Sequence, residues 1–122
     1  MLKAVRVSPR KLLNFNKKNR LASKQDFRSV FASACKLSRV GLRVIYLPNQ
    51  LGSARLGIII NKQQVRLAVQ RNRLRRGARE SFRHHLAALE GLDIVLMMRA
   101  ECVALDTKVL RERIDNLWQK IS

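Results

Sequence analysis

Hydrophobic residues recur along the chain at two spacings, one typical of helices and one of strands. In the first predicted helix, apolar side chains return every three or four residues and share one helical face, at Phe27, Val30, Phe31 and Ala34. Ser23 precedes this stretch, with an acid, Asp26, three residues later. Such a pair can cap exposed backbone N–H groups, so we predict that a helix starts here.

Short apolar runs predict the strands. Residues 42–47 form one strand that ends at Pro48, and residues 55–60 and 93–98 form two more that are rich in buried-type side chains. A short edge strand is also predicted at residues 36–39. A long helical segment separates the 55–60 and 93–98 strands, and this spacing favours a parallel crossover, which general rules make right-handed.

The segment between those two strands predicts a helix with one apolar side. Most of its apolar residues fall on one arc, interrupted by Arg71 and Arg75, and comprise Leu67, Ala68, Leu74, Ala78, Phe82, Leu86 and Leu89. We predict that this arc packs on the sheet and that the helix stops near Gly91. A last helix is predicted from residues 105–107 onward, with apolar residues Val109, Leu110, Ile114, Leu117 and Trp118.

The same long helix carries an unusual density of charge. Residues 62–83 contain seven arginines and one acid, Glu80. Guanidinium groups this close together repel one another unless a polyanion neutralises them, and their planar forks suit phosphate oxygens. The alternative is a solvated helix face, but such a face normally alternates in sign. The segment therefore predicts a phosphate-binding surface.

Composition extends this prediction to the whole molecule. The chain has 26 Lys and Arg against 8 Asp and Glu, a formal net charge of +18 over 122 residues. Nucleic acid and anionic membrane are the two partners that such a charge attracts. Membrane is the weaker option, because no apolar run approaches the roughly 18 residues of a spanning helix. The N-terminus lacks the pattern of a signal peptide, so we expect a cytoplasmic protein.

No arrangement of residues predicts catalysis or metal binding by the chain itself. Cys35 and Cys102 are far apart and form no metal-ligand pair, so we predict two buried thiols in a reducing compartment. His84 and His85 are adjacent, which does not suit one metal ion on a helix, and a surface role is predicted. The acids are scattered, whereas an enzyme that cleaves nucleic acid by itself needs a general acid and base near one phosphate. We therefore expect no catalytic residue, no bound metal, no bound cofactor and no small-molecule substrate.

The chain is long enough for one domain with a single modest core. Residues 1–18 are basic and contain no acid, which predicts a partly mobile arm. Residues 19–122 form the predicted domain. Its 47% apolar content argues against general disorder.

One long motif resembles the protein subunit of bacterial ribonuclease P. It begins at Arg55-Leu-Gly-Ile, continues through Lys62, Val65 and Ala68-Val69, and centres on Arg71-Asn72-Arg73, followed by Arg76, Arg79-Glu80 and Phe82-Arg83. Flanking segments agree with it: Arg20-Leu21, Asp26-Phe27 and Val30-Phe31 resemble the family's first helix, and residues 93–96 with Leu117-Trp118 resemble its last strand and helix.

The resemblance implies a fold and a function. The expected fold is a single α+β domain, a four-stranded sheet flanked by helices in the order α-β-β-β-α-β-α, similar to the second domain of ribosomal protein S five. Its βαβ crossover is expected to be left-handed, against the general rule. The family's protein assists a catalytic RNA that uses magnesium to remove the 5′ leader from precursor tRNA. The implied partners are therefore the catalytic RNA and precursor tRNA.

Residue roles follow from the same resemblance. The positions expected to contact the catalytic RNA are Lys62, Arg66, Arg71, Asn72, Arg73, Arg75, Arg76, Arg79 and Arg83. Phe27 and Phe31 match aromatic positions of a cleft that holds the single-stranded leader, where bases can stack on rings. Tyr46 is a further candidate for that cleft.

Several alternatives stay open at this point. Phe27 and Phe31 could equally serve ordinary helix–sheet packing, and Tyr46 could face the core instead of the cleft. Gln63 stands where the family usually has a second lysine, and Arg75 replaces a usual lysine. The whole chain could also be a non-enzymatic RNA-binding protein, either ribosomal or an RNA chaperone, since charge and composition fit both functions.

Overall fold

The computed structural model describes residues 17–122, so most of the predicted basic arm at residues 1–18 lies outside the described residues. The helices and strands follow the predicted order α-β-β-β-α-β-α, with bounds α1 Lys24–Phe31, β1 Lys36–Arg39, β2 Leu42–Pro48, β3 Arg55–Ile60, α2 Ala68–His84, β4 Leu92–Met98 and α3 Thr107–Ile121. Short 3-10 segments lie at Lys17–Asn19 and Ala100–Ala104.

Two of the helix starts follow directly from capping side chains. The Ser23 hydroxyl accepts a hydrogen bond from the Asp26 N–H, as predicted. The Asp106 carboxylate accepts one from the Val109 N–H and so starts α3. Each cap satisfies a backbone donor that has no partner within the first turn of its helix.

The four strands form one mixed sheet in the order β1-β2-β4-β3. The pairs β1–β2 and β2–β4 are antiparallel, whereas β3 and β4 are parallel, which confirms the predicted crossover. Leu56 in β3 directs its side chain into the core beneath α2, and its carbonyl accepts from the Leu21 N–H on the outer edge. When β3 is viewed from α2 with its C-terminal end upward, an L-residue whose side chain points toward the viewer has its carbonyl on the right. The outer edge therefore lies to the right of β3 and β4 lies to its left. The crossover is left-handed, and the general right-handed rule fails here.

The sheet separates two hydrophobic clusters. The larger lies under α2 and α3, where the rings of Phe82 and Trp118 meet edge to face with centroids 5.8 Å apart. The smaller lies under α1 and contains Leu21, Val30, Ile45 and Val95. The domain is therefore three layers: α1, the sheet, and the pair α2–α3.

The structure corrects three predictions of detail. Helix α2 ends at His84, and residues 85–91 form turns that reach Gly91 at φ +80°, so the predicted stop at Gly91 is too late. Leu67, predicted on the buried arc, is 58% exposed because it lies before the part of α2 that covers the sheet. Cys102 is buried as predicted, but Cys35 is exposed in the connection between α1 and β1.

Candidate nucleic-acid interface

A cationic cavity runs along the outer side of α2. It has a volume of about 320 Å³ and is lined by Asn72, Arg75, Arg76, Arg79, Glu80 and Arg83. Within residues 17–122, no carboxylate lies within 4.0 Å of the guanidinium groups of Arg75, Arg76 or Arg79. These three predicted site residues thus share one surface whose charge is not neutralised by the described part of the protein.

Arg79 shows the electrostatic consequence of this crowding. Partial desolvation, followed by repulsion from Arg20 and Arg75, lowers the pKa of Arg79. An anion bound at this point would oppose that shift, because an opposite charge favours the protonated guanidinium. The surface is therefore complementary to phosphate in charge.

Glu80 is the acid on this surface. Its carboxylate accepts hydrogen bonds from Arg83 and lies 3.3 Å from Nε2 of His84. The hydrogen bond from Arg83 is the largest contribution that lowers the pKa of Glu80, so the carboxylate stays ionised to a lower pH than an ordinary glutamate. Arg83, predicted to contact RNA, is thus partly neutralised by its neighbour.

The two arginines of the central triplet make a different set of contacts from their neighbours. Nη1 of Arg71 donates to the carbonyls of Val65 and Arg66, at 2.9 and 2.8 Å. Arg73 donates through Nη1 to Leu105 and through Nη2 to Val103, at 3.0 and 2.9 Å. Of the triplet, only Asn72 is fully on the exposed side and lines the cavity.

Two predicted residues lie on the loop before α2. Lys62 and Arg66 are both exposed, on a turn held by the Val65 N–H, which donates to the Asn61 carbonyl, and by the buried Val65 side chain. The loop also carries Gln63, whose carbonyl accepts from Nε of Arg66 at 3.4 Å. These cations therefore extend the basic surface beyond the N-terminal end of α2.

Phe27 is positioned by the absence of a side chain at Gly57. A Cβ atom at Gly57 would lie 2.5 Å from Cζ of Phe27, so only glycine allows the ring to rest on β3. Phe27 is half-buried and packs on the smaller cluster. A second cavity, of about 140 Å³, lies beside it and is bordered by Arg20, Leu21, Phe27, Leu56, Gly57, Ile58, Arg75 and Arg79.

Arg75 and Arg79 border both cavities, so the cationic surface of α2 continues directly into the second cavity. This cavity and the neighbouring rings of Phe27 and Phe31 are called the aromatic groove. Phe31 lies one turn after Phe27, with ring centroids 6.5 Å apart and planes inclined by 28°. It is 40% exposed, which leaves part of a ring face in contact with solvent. Aromatic faces beside cations are the combination that binds single-stranded nucleic acid.

The structure also reveals residues that the sequence analysis did not single out. Helix α1 covers Ile45 and Val95, but the next row of the same sheet face, Arg43, Met97 and Ile59, is only partly buried. Nε of Arg43 is buried and has no hydrogen-bond partner within the described chain. The alternation of side chains along a strand could have identified these residues in the sequence. They lie two positions from Ile45, Val95 and Gly57, so they share the same face of the sheet.

Tyr46 does not belong to this groove. It pairs with Ile94 across β2 and β4, and both side chains pack on the larger cluster under α2 and α3. Because successive side chains of a strand point to opposite faces, Tyr46 and its neighbour Ile45 are separated by the sheet. The prediction that Tyr46 lines the same cleft as Phe27 is therefore corrected.

An ion-pair network holds the groove's helix against the sheet. Arg55 in β3 donates to both carboxylate oxygens of Asp93 in β4, at 2.7 and 2.6 Å, and to Asp26 in α1 at 3.2 Å. The hydrogen bonding to Asp93 is the largest effect that raises the pKa of Arg55. Nδ2 of Asn49 donates at 2.8 Å to Oδ1 of Asp93, the oxygen that also accepts from Nε of Arg55. This part of the motif thus has a structural function.

Other classes of site find no support in the part of the chain that the structure describes. Residues 17–122 contain no group of three or more His, Cys, Asp or Glu that could hold a metal ion. His84 is exposed beside Glu80, whereas Nδ1 of His85 lies 2.8 Å from the Ser81 carbonyl. Within the same range, no helix combines the length and the apolar character needed to cross a bilayer.

Comparison with known proteins identifies the family of the chain. The Ribonuclease P family matches residues 15–122. The ribonuclease P protein component of Methylococcus capsulatus is 40% identical over 104 residues, which cover 85% of this chain and 81% of that protein. The corresponding protein of Chromohalobacter salexigens is 39% identical over 108 residues, covering 88% and 84%.

Solved structures agree with the sequence comparison. The RNase P protein from Thermotoga maritima superposes with a TM-score of 0.75 at 30% identity, covering 84% of this chain and 97% of that one. An RNase P protein mutant from Staphylococcus aureus gives a TM-score of 0.80 at 23% identity over 86% and 89% of the two chains, which supports the fold alone. The family match over residues 15–122 and the similarity to these relatives show that this chain belongs to the ribonuclease P protein family.

Proposed function

We propose that this protein is the RNA-binding subunit of a ribonuclease P in which RNA performs the chemistry. It binds the catalytic RNA through the surface of α2 and the 5′ leader of precursor tRNA through the groove beside α1. The holoenzyme then hydrolyses the phosphodiester that joins leader and tRNA. Magnesium serves the RNA, and the protein contributes no catalytic residue of its own.

One observation carries the proposal: unneutralised arginines and the half-buried Phe27 ring border a continuous surface, with the partly exposed Phe31 one helical turn away. Arg75 and Arg79 border both the α2 cavity and the groove of Phe27. Cations bind phosphates of any sequence, whereas aromatic faces require unpaired bases. A folded RNA and a single-stranded leader can therefore occupy adjoining parts of this surface.

The groove suits a leader that varies in sequence. Stacking on Phe27 and Phe31 tolerates any base, since every base has a π-face. Met97 and Ile59 extend the groove beyond α1 and have no hydrogen-bonding group that would select one base, and the Arg43 guanidinium beside them can bind a backbone phosphate. We expect broad leader recognition with weak base preference.

The alternative, a ribosomal or chaperone-type RNA-binding protein, shares the charge but needs no groove for a single strand. No feature of the described residues favours it over the family's activity. The two functions differ in one measurable respect, because only the first requires that the protein restore precursor cleavage to a catalytic RNA.

The test uses the full chain, its cognate catalytic RNA and precursor tRNA in magnesium. Protein free of RNA should not cleave, and its addition to the catalytic RNA at low salt should restore leader removal. Phe31→Ala truncates a ring that is 40% exposed, so it should lower the precursor-over-mature binding preference by about 1–3 kcal/mol and should lower the thermal midpoint less than Phe27→Ala, whose ring packs on the smaller cluster. Val40→Ala, at an exposed apolar position of the β1–β2 turn, is the control.

Two results would contradict the proposal. Cleavage at the leader junction by RNA-free protein would place catalytic residues in the chain. An unchanged precursor preference in Phe31→Ala, together with an unchanged preference in Phe27→Ala, would remove the leader from the groove and leave both rings as packing residues.

A further inference from the structure

The arginines of the central triplet are bonded to the protein's own backbone, unlike the arginines that follow them. Arg71 and Arg73 each donate to two carbonyl oxygens at 2.8–3.0 Å. Within residues 17–122, the guanidinium groups of Arg75, Arg76 and Arg79 donate no hydrogen bond to the protein. The two groups of guanidinium ions therefore differ in what their donors already bind.

We propose that Arg71 and Arg73 are positioning residues, which shape the RNA-binding surface through backbone carbonyls, and that the phosphates are bound by Asn72, Arg75, Arg76 and Arg79. This inference rests on the proposed function, because it assumes that RNA docks on α2. It divides one basic motif into a structural part and a contacting part.

Arg71 joins α2 to the loop that precedes it. Both of its acceptors, the carbonyls of Val65 and Arg66, lie on that loop. The loop presents the exposed cations Lys62 and Arg66. Because both carbonyls lie before the helix, a guanidinium that donates to them from within α2 holds the loop against the helix and fixes its direction. Arg71 thereby sets where those two cations meet the RNA.

Arg73 joins α2 to the start of α3. Its two acceptors, the carbonyls of Val103 and Leu105, flank the end of the Ala100–Ala104 segment just before the Asp106 cap. Both acceptor residues are half-buried against the larger cluster. A lysine has no planar fork and cannot reproduce two parallel bonds, and unpaired carbonyls at half-buried positions destabilise the fold.

Charge-preserving and charge-removing variants separate the two roles. We compare Arg73→Lys and Arg73→Gln with Arg76→Lys and Arg76→Gln, which lie one turn apart on the same helix. For each variant, the thermal midpoint of the free protein is measured, together with the slope of log affinity for the cognate catalytic RNA against log salt concentration. The slope reports the number of phosphate contacts.

The expected results differ in kind. Both Arg73 variants should lower the midpoint, on the order of 5 °C for a domain of this size, and leave the slope unchanged. Arg76→Gln should keep the midpoint and reduce the magnitude of the slope by up to about 0.9, taking the duplex value as a guide. Arg76→Lys should restore the original slope. Arg71→Lys, which keeps the charge at residue 71, should speed amide exchange in residues 61–67.

The inference would be overturned if Arg73→Gln kept the midpoint and lowered the slope as Arg76→Gln does, with Arg73→Lys restoring it. If both Arg73 variants fail to fold while the Arg76 variants fold, the positioning role is supported. A slope that is unchanged in Arg76→Gln and in Arg79→Gln would instead refute docking on α2 and so count against the proposed function itself.

Discussion

At the scale of single residues, the described partners of each charged group decide what it can do. Seven arginines between residues 62 and 83 are alike in sequence. In the structure, Arg71 and Arg73 bind carbonyls and Arg83 binds Glu80, whereas Arg76 lines an open cavity. A guanidinium has five N–H donors, so the paired arginines keep some of them, but their forks are held by the protein, whereas every donor of Arg76 is open to phosphate.

Glu80 provides the residue-scale prediction. Glu80→Gln removes the carboxylate that holds Arg83 and His84, so Arg83 becomes available to phosphate. We expect tighter binding to the catalytic RNA and a steeper salt dependence, by up to about 0.9 in the log–log slope. The matched control is Glu90→Gln, which makes the same change in net charge at an exposed position in the turns after α2. Equal effects of the two variants would mean that net charge alone is responsible.

At the scale of elements, the groove depends on how α1 is held against the sheet. Gly57 leaves room for the Phe27 ring, and Arg55 connects α1 to β4 through Asp26 and Asp93. The two acids are not equivalent. The Asp93 side chain is 7% exposed and has two bonds to Arg55, whereas Asp26 is 33% exposed and has one longer bond.

This difference predicts unequal effects of two conservative variants. Asp93→Asn leaves a largely buried guanidinium without its main counter-ion, and removing one partner of a buried pair costs about 3–5 kcal/mol. Asp26→Asn should cost much less, since solvent screens its longer contact. Denaturant unfolding of both variants measures the two free energies. Equal losses of stability would show that Arg55 depends on Asp26 as much as on Asp93.

At the scale of the whole molecule, charge governs both stability and binding. A net charge of +18 on 122 residues makes the free protein repel itself. The same charge attracts a polyanion, and in the proposed function it would reduce the repulsion between the catalytic RNA and its RNA substrate. Free and bound protein should therefore respond to salt in opposite directions.

The whole-molecule prediction follows from screening. Raising the salt from about 0.01 M to about 0.1 M shortens the screening length from about 30 Å to about 10 Å. The thermal midpoint of the RNA-free protein should rise over this range, while affinity for the catalytic RNA falls. Calorimetry and binding titrations in the same buffers provide the comparison. A midpoint that does not change with salt would show that the folded chain is not limited by its own charge.

The amino-acid sequence by itself determined the elements, their order and the basic character of α2. Those properties depend on local spacing, capping residues such as Ser23 and composition, and the structure and the family comparison confirm them. The parallel pairing of β3 with β4 also followed from spacing, because a long helix between two strands favours it.

Only the tertiary structure decided which side chains share a surface. It separated Tyr46 from Phe27 by the thickness of the sheet, ended α2 at His84, exposed Cys35 and joined Arg75 and Arg79 to the aromatic groove. It also assigned the donors of Arg73 to carbonyls some 30 residues away in the chain. The physical reason is that two properties depend on contacts between residues distant in sequence: the layer against which each face of a strand packs, and the partner of a guanidinium. A local sequence pattern contains no information about such contacts.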